Sequence, residues 1–322
     1  MTAYEREFLA PPPRFAQNFP PSAHEIRVNR RLKQALAASV FGGLGLLSAG
    51  DQARAADECG AAGGTPPSIT CADTALNPYA GGINYTTTTG FDLAVGSGIV
   101  VDRDPGYDFD GIHLDGFGDD LLRVTIATGV SVSTDGTVAD GVQVHANGGN
   151  SDIEIISGAN VTILNSLESH GIIGRIDDTS AADLITTSDG SILIRQLAGS
   201  TIDVRGSGFG IYGIHYGLGP VRVEAFGDVL TAGSSAFAIS SWNLNPSATG
   251  AVAVYLADTG RVFTDGEEGA GVYALNYGFG AATAAVSGYI ETAQLYSDGV
   301  IALVDNGGSS ADATITAVMM PR

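Results

Sequence analysis

Lysine is almost missing: Lys33 is the only one in 322 residues. Beyond Ala55 the sequence carries 8 Arg against 31 Asp and Glu. Nucleic-acid binding needs clustered Lys and Arg to displace counterions, so that class is excluded. Only two cysteines and one tryptophan occur. Two thiols exclude a disulfide-dense scaffold, and with no histidine close in sequence they do not make a zinc site. The longest apolar run, residues 35–49, holds three glycines and is too short for a stable membrane span. No 3.6-residue period persists either, which excludes a helical solenoid. Disorder is excluded as well, because 44% of the residues are hydrophobic and they recur regularly.

What is present is a repeat. A Gly that closes a strand-like run recurs at Gly98, Gly129, Gly158, Gly199, Gly227, Gly260 and Gly288. A second anchor follows each: Gly111-Ile112, Gly141-Val142, Gly171-Ile172, Gly213-Ile214, Ala238-Ile239, Gly271-Val272 and Gly299-Val300. The offset between anchors runs from 11 to 14 residues. Within each unit, apolar and polar residues alternate, as in Val124/Ile126, Ile153/Ile155, Ile192/Ile194, Val221/Val223 and Val252/Val254. Such alternation in short runs bounded by Gly, Asp and Ser predicts strands. One short unit cannot enclose a core, but stacked units can, through ladders of aliphatic side chains. Propeller blades need about 40–45 residues, more than these units have. The expectation is an all-β fold, a single parallel β-helix of about seven coils on the order of 35 Å long. Its repeats occupy residues 91–322, with Asp177 to Gly190 as a side loop. The Ile or Val after each second anchor should point inward, and the next residue outward.

Ahead of the repeat, Arg27, Arg30, Arg31 and Lys33 precede the apolar run, and Ala53-Arg54-Ala55 completes a signal peptide cut between Ala55 and Ala56. Residues 1–55 are therefore read as leader and signal. Residues 56–90 are read as an N-terminal cap that protects the first open strand edge. They hold Cys59 and Cys71, a pair spaced to form one disulfide in an exported chain.

The signal, the short Cys59–Cys71 loop, the Asn77-Pro78-Tyr79 to Tyr85 segment and the Asp-Gly-Ile/Val units together give a resemblance. Over residues 56–318 the chain resembles the N-terminal part of an autotransporter passenger from Gram-negative bacteria, of the pertactin-like type. The resemblance implies a right-handed β-helix displayed at the cell surface or released. It also implies an outer-membrane β-barrel translocator, whose alternating ten-residue strands are missing from this sequence. A truncated reading frame is the expectation, with a periplasmic location unless a translocator is supplied.

Candidates for chemistry are few. Ser169-His170-Gly171 with Arg175 is similar to the Gly-His-Gly of β-helix pectinases, but His170 fills the corner slot held by Asp110, Asp140 and Asp298 in other units. Asp119-Asp120 and Asp177-Asp178 are read as lying in loops of separate coils. His113 and His215 are read as exposed surface residues at one repeat position. Asp110, Asp115, Asp119 and Asp120 are acidic enough for calcium, yet they match no EF-hand or nonapeptide calcium repeat. No catalytic residue, metal ligand or cofactor is therefore assigned. Trp242, Tyr273, Tyr277 and Phe279, with Tyr216 at an inward slot, form either corner packing or a binding strip. The expected function is a non-enzymatic adhesin-like or stalk-like surface protein, with host or matrix glycans or proteins as partners. The alternative is a secreted polysaccharide-degrading enzyme of the pectin-lyase-like β-helix type.

Overall fold

Runs such as Leu122–Ile126 (LRVTI) and Ile192–Gln196 (ILIRQ) alternate apolar and polar residues with period two, and each forms a strand that buries alternate side chains. Gly, Asp and Ser between the runs turn the chain about 30 residues per circuit, so each strand meets its counterpart one circuit later. In the computed structural model of the chain, residues 58–103, 110–178, 184–267, 269–294 and 297–318 are described. The leader, the basic residues, the apolar run and the Ala55–Ala56 cut lie outside the described residues.

The strands form three parallel sheets of nine, seven and eight strands. Each coil passes through the sheets in that order; they are called sheets 1, 2 and 3 below. Seven full coils run from Phe91–Val95 to Asp298–Val304. This is the parallel β-helix that the repeat predicts. The only helix among the described residues is a single 3-10 turn, Thr74–Leu76. Stacking begins earlier than the anchors suggest, because Ser68–Cys71 already opens sheet 1 and Ile83–Thr87 opens sheet 3.

Register explains the core. In sheet 3 the inward ladder is Ile83, Ile112, Val142, Ile172, Ile211, Ile239, Val272 and Val300. All but the last are fully enclosed or nearly so, within one continuous core. One anchor is thereby corrected. Gly210-Ile211, not Gly213-Ile214, continues the ladder, and Ile214 pairs with Arg175 on the outer side of the sheet. The strand Phe209–His215 contains two Gly-Ile pairs, and pairing of Phe209 with Phe237 selects the first.

The corner glycines show why side chains are excluded there. A Cβ on Gly141 would lie 2.6 Å from the Gly171 carbonyl oxygen, and one on Gly171 would lie 2.5 Å from that of Gly210. Each coil thus sits on the bare backbone of the next.

Residues ahead of the repeat pack along the first strand of sheet 2, Val100–Asp102. Asn77 donates its amide to the Gly98 carbonyl and accepts the Val100 N–H, both at 2.8 Å, along the first strand of sheet 2. Tyr79 is buried beside it and donates its N–H to the Val100 carbonyl. Cys59 and Cys71 are joined by a disulfide.

Candidate functional site

The outer face of sheet 3 carries the densest polar and aromatic chemistry among the described residues. Two outward ladders run along it. One reads Asn84, His113, Gln143, Ile173, Tyr212, Ser240, Tyr273, Ile301. The other reads Thr86, Asp115, His145, Arg175, Ile214, Trp242, Leu275, Leu303. The first turns apolar and aromatic from Ile173 onward, apart from Ser240, and the second from Ile214 onward.

The polar half is a chain of alternating charges. His113 holds Asp110 through Nδ1 and faces Asp115 Oδ2 through Nε2 at 3.0 Å. His145 contacts Asp115 Oδ1 through Nδ1 at 3.2 Å and Asp177 Oδ1 through Nε2 at 2.7 Å. Arg175 Nε donates to the other oxygen of Asp177, which is no loop residue: it ends the strand Ile172–Asp177 with its side chain fully buried. Burial alone would push His113 down, but Asp110 and Asp115 reverse this and hold it up at about 10. Burial likewise opposes the charge on His145, yet Asp115 and Asp177 raise its pKa. Asp115 and Asp177 are lowered in turn, because their histidines, and Arg175 for Asp177, outweigh desolvation. A general base needs a pKa near working pH and a free lone pair. Both ring nitrogens of His145 face carboxylates, so this imidazolium serves as a bridge between coils.

His170 occupies the corner slot that the repeat assigns it. Asp110 Oδ1 accepts the Asp140 N–H, and Asp140 Oδ1 accepts the His170 N–H one coil later. His170 Nδ1 also meets Asp140 Oδ1, at 2.8 Å. The next residues in this corner ladder are Phe209 and Phe237. Asp119 accepts the Asn150 N–H and Asp120 accepts the Gly90 N–H, so these loop carboxylates tie neighbouring coils. The structure therefore brings Asp110 and Asp115 together around His113, and leaves Asp119 and Asp120 on other contacts.

No family model, curated protein or solved structure matches the chain.

The apolar half is an aromatic patch. His170 stacks on Phe209 at 5.2 Å between centroids, Phe209 on Tyr212 at 4.3 Å, and Phe209 on Phe237 at 5.1 Å. Trp242 packs edge-on against Tyr212 at 5.1 Å and Tyr273 at 5.6 Å. Such pairs add about 0.5–1.5 kcal/mol each beyond area burial. The patch unites Trp242 and Tyr273 of the expected strip. Tyr277 and Phe279 fall in the turn after the strand, with Tyr277 near enough to help burial push the Tyr273 hydroxyl up to about 12. Phe279 is half exposed. Tyr216 is corrected: it lies just past the outer strand, with the Arg175 guanidinium 5.5 Å above its ring, and not in an inward slot. Phe209, Tyr212 and Phe237 join the patch only through the observed register, because a Gly213-Ile214 anchor sets Tyr212, not Phe209, level with Phe237.

His215 is also corrected. It is wholly buried, shares no ladder with His113, and aligns with Asn243 and Asn276. Its Nε2 donates to the Gly190 carbonyl, as Asn243 does to Gly219 and Asn276 to Gly250. Its Nδ1 accepts the Gly217 N–H, as Asn276 accepts that of Gly278. A legible signal existed: His215-Tyr-Gly-Leu-Gly matches Asn276-Tyr-Gly-Phe-Gly. His113 is half-buried between carboxylates, not a free surface group.

Burial pushes His215 down to about 4, so its neutral form is the folded one. The unfolded chain then binds the extra proton between about pH 6.5 and 4. The contribution is complete above the unfolded value and is lost as pH falls, by about 3 kcal/mol in all. His215→Asn should remove that acid loss, measured as denaturant midpoints of both proteins between neutral pH and pH 4. Parallel profiles for the two would refute it.

A cleft of about 610 Å³ opens elsewhere, lined in part by Pro66, Pro67, Phe91, Asp92, Leu121 and Arg123. Arg123 there is committed to Asp92 and Glu154.

Proposed function

We propose that this chain is an exported, non-enzymatic β-helix that works by surface contact, as an adhesin-like or stalk-like passenger segment. The observation that supports this most is the aromatic patch on the outside of the coil. Phe209, Phe237, Trp242 and Tyr273 are only half-buried, although the core already lies inside. Clusters of exposed aromatic side chains rimmed by polar groups mark interaction sites. Phe209 and Phe237 lie nearly parallel about one coil spacing apart, so each covers its neighbour's face. That favours a protein partner over a sugar, which needs a free ring face. The charged half beside it, with His113 and His145 bridging carboxylates, suits an orienting rim better than acid–base chemistry.

Trp242 is the sole tryptophan, so its fluorescence reports on this patch alone. The purified protein should bind surface or matrix proteins with a change in Trp242 emission. Trp242→Ala with Tyr273→Ala should weaken that binding about thirtyfold or more, as for a central hot spot. Release of sugar fragments from a polysaccharide, abolished by His170→Ala, would instead support the enzymatic alternative.

A further inference from the structure

Arg175 shows how this coil holds a guanidinium. Its Nε donates to the Asp177 carboxylate, and its guanidinium lies 5.5 Å from the centre of the Tyr216 ring. Asp177 and Tyr216 stand level in adjacent coils, because they follow the paired residues Ile176 and His215. The cation thus spans one coil step, with a carboxylate at one side and an aromatic face at the other.

The same ladder position offers this pair again. His215, Asn243, Asn276 and Val304 are paired in succession, so Tyr216, Leu244, Tyr277 and Asp305 follow one another along it. Tyr277 and Asp305 are therefore neighbours about one strand spacing apart. Both lie on the outer side, Tyr277 half-buried and Asp305 exposed. The backbone holds them in place. The Asp305 N–H donates to the Asn276 carbonyl at 2.9 Å, and the Asn306 amide donates to the Pro246 carbonyl at 3.0 Å. Burial raises the Tyr273 and Tyr277 hydroxyls, and the Asp305 charge adds to both.

What differs is the cation. Asp177 receives His145 from the coil before it and Arg175 from its own. Leu275 and Leu303 hold those two positions for Asp305. Both strands are described, so a coil beyond Asp305 would not change which residues stand there. The arginines Arg123, Arg175, Arg195, Arg205 and Arg222 are committed to carboxylates elsewhere.

We propose that Tyr277 and Asp305 receive an arginine of the partner protein, beside the aromatic patch. This deepens the surface-contact reading and rests on it for the partner. A planar guanidinium can stack on the Tyr277 ring while bonding the Asp305 carboxylate, which a compact ammonium does less well. The acid excess of the chain favours a basic partner in the same sense.

The test uses the full chain and an acetylated, amidated Gly-Gly-Arg-Gly-Gly peptide, with binding read from the Gly278 and Asp305 backbone amides by NMR. The peptide should bind, and its lysine counterpart should bind more weakly. Asp305→Asn and Tyr277→Leu should each weaken the arginine peptide about threefold or more. Leu303→Arg copies Arg175 two residues ahead of the acid, at a position already 36% exposed. It should fill the site from within and abolish peptide binding, with thermal stability unchanged or raised. Equal binding of the two peptides, tighter binding of choline, or full binding by Leu303→Arg overturns the proposal. If Trp242→Ala with Tyr273→Ala weakens protein binding while Asp305→Asn and Leu303→Arg do not, the arginine site fails and the surface-contact reading stands. If the peptide behaves as expected but no protein binds the patch, the site stands and that reading fails.

Discussion

Gly141→Val is expected to cost about 3 kcal/mol or more, at the upper end of overpacking effects. The new Cβ would lie 2.3 Å from Val161 Cγ1 and 2.6 Å from the Gly171 carbonyl oxygen. The valine methyl can rotate away, but the carbonyl cannot move freely. It accepts the Val142 N–H at 3.0 Å, a bond between adjacent coils. Relieving the clash breaks that bond or splays the coils, and a buried unpaired carbonyl adds its own penalty. Gly299→Ala is the matched control at the same ladder position with open space above it. It should change stability by only a few tenths of a kcal/mol, mostly through the unfolded chain. Guanidinium midpoints of the three proteins decide this. Equal losses at Gly141 and Gly299 would show that corner packing between coils is not the reason for glycine.

The second large effect is expected at Asp177. Its carboxylate is buried between His145 and Arg175. Asp177→Ala leaves two cationic groups facing each other without the acid that joins them. Breaking a buried ion pair from one side costs about 3–5 kcal/mol. The histidine should report the change directly, because Asp177 helps to raise the His145 pKa. Titration of the His145 ring by NMR should show a lower pKa in the variant. The sign for Asp177 itself is opposite in pH. Its pKa is lowered, so its contribution is present above the ordinary carboxylate value and lost as pH falls through the folded one. A variant with normal stability and an unchanged His145 titration would remove the charge chain from the account.

Much of the fold was legible because a stacked coil writes its cross-section into the sequence once per circuit. Gly141, Gly171 and Gly271 stand where backbone meets backbone, and Ile112, Val142 and Ile172 stand where side chains fill the axis. The reading failed where local sequence offered two equal choices. Gly210-Ile211 and Gly213-Ile214 lie in one strand, and only pairing with Phe237–Asn243 separates them. That single shift of register placed His215 on the surface and Tyr216 inside, and it scattered the aromatic residues. The charge chain was hidden for a different reason. Asp115, His145 and Asp177 are about one circuit apart in sequence, and only exact register brings their side chains into contact. The Asp110, Asp140, His170 corner was legible because each member sits immediately before its anchor glycine.

The most direct test of stacking is a distance series along one outward ladder. Ala94, Thr125, Ile156, Arg195, Glu224, Tyr255 and Ala285 align in sheet 1, each one coil from the next. Spin labels at Ala94 and Tyr255 are separated by five steps, and at Ala94 and Ala285 by six. At about 4.8 Å per step, pulsed dipolar measurements should give backbone separations of about 24 and 29 Å. A further 30 residues of chain would thus add only one strand spacing. Broad distributions, or a second distance unrelated to the first by that increment, would contradict the stacked coil and every site built on it.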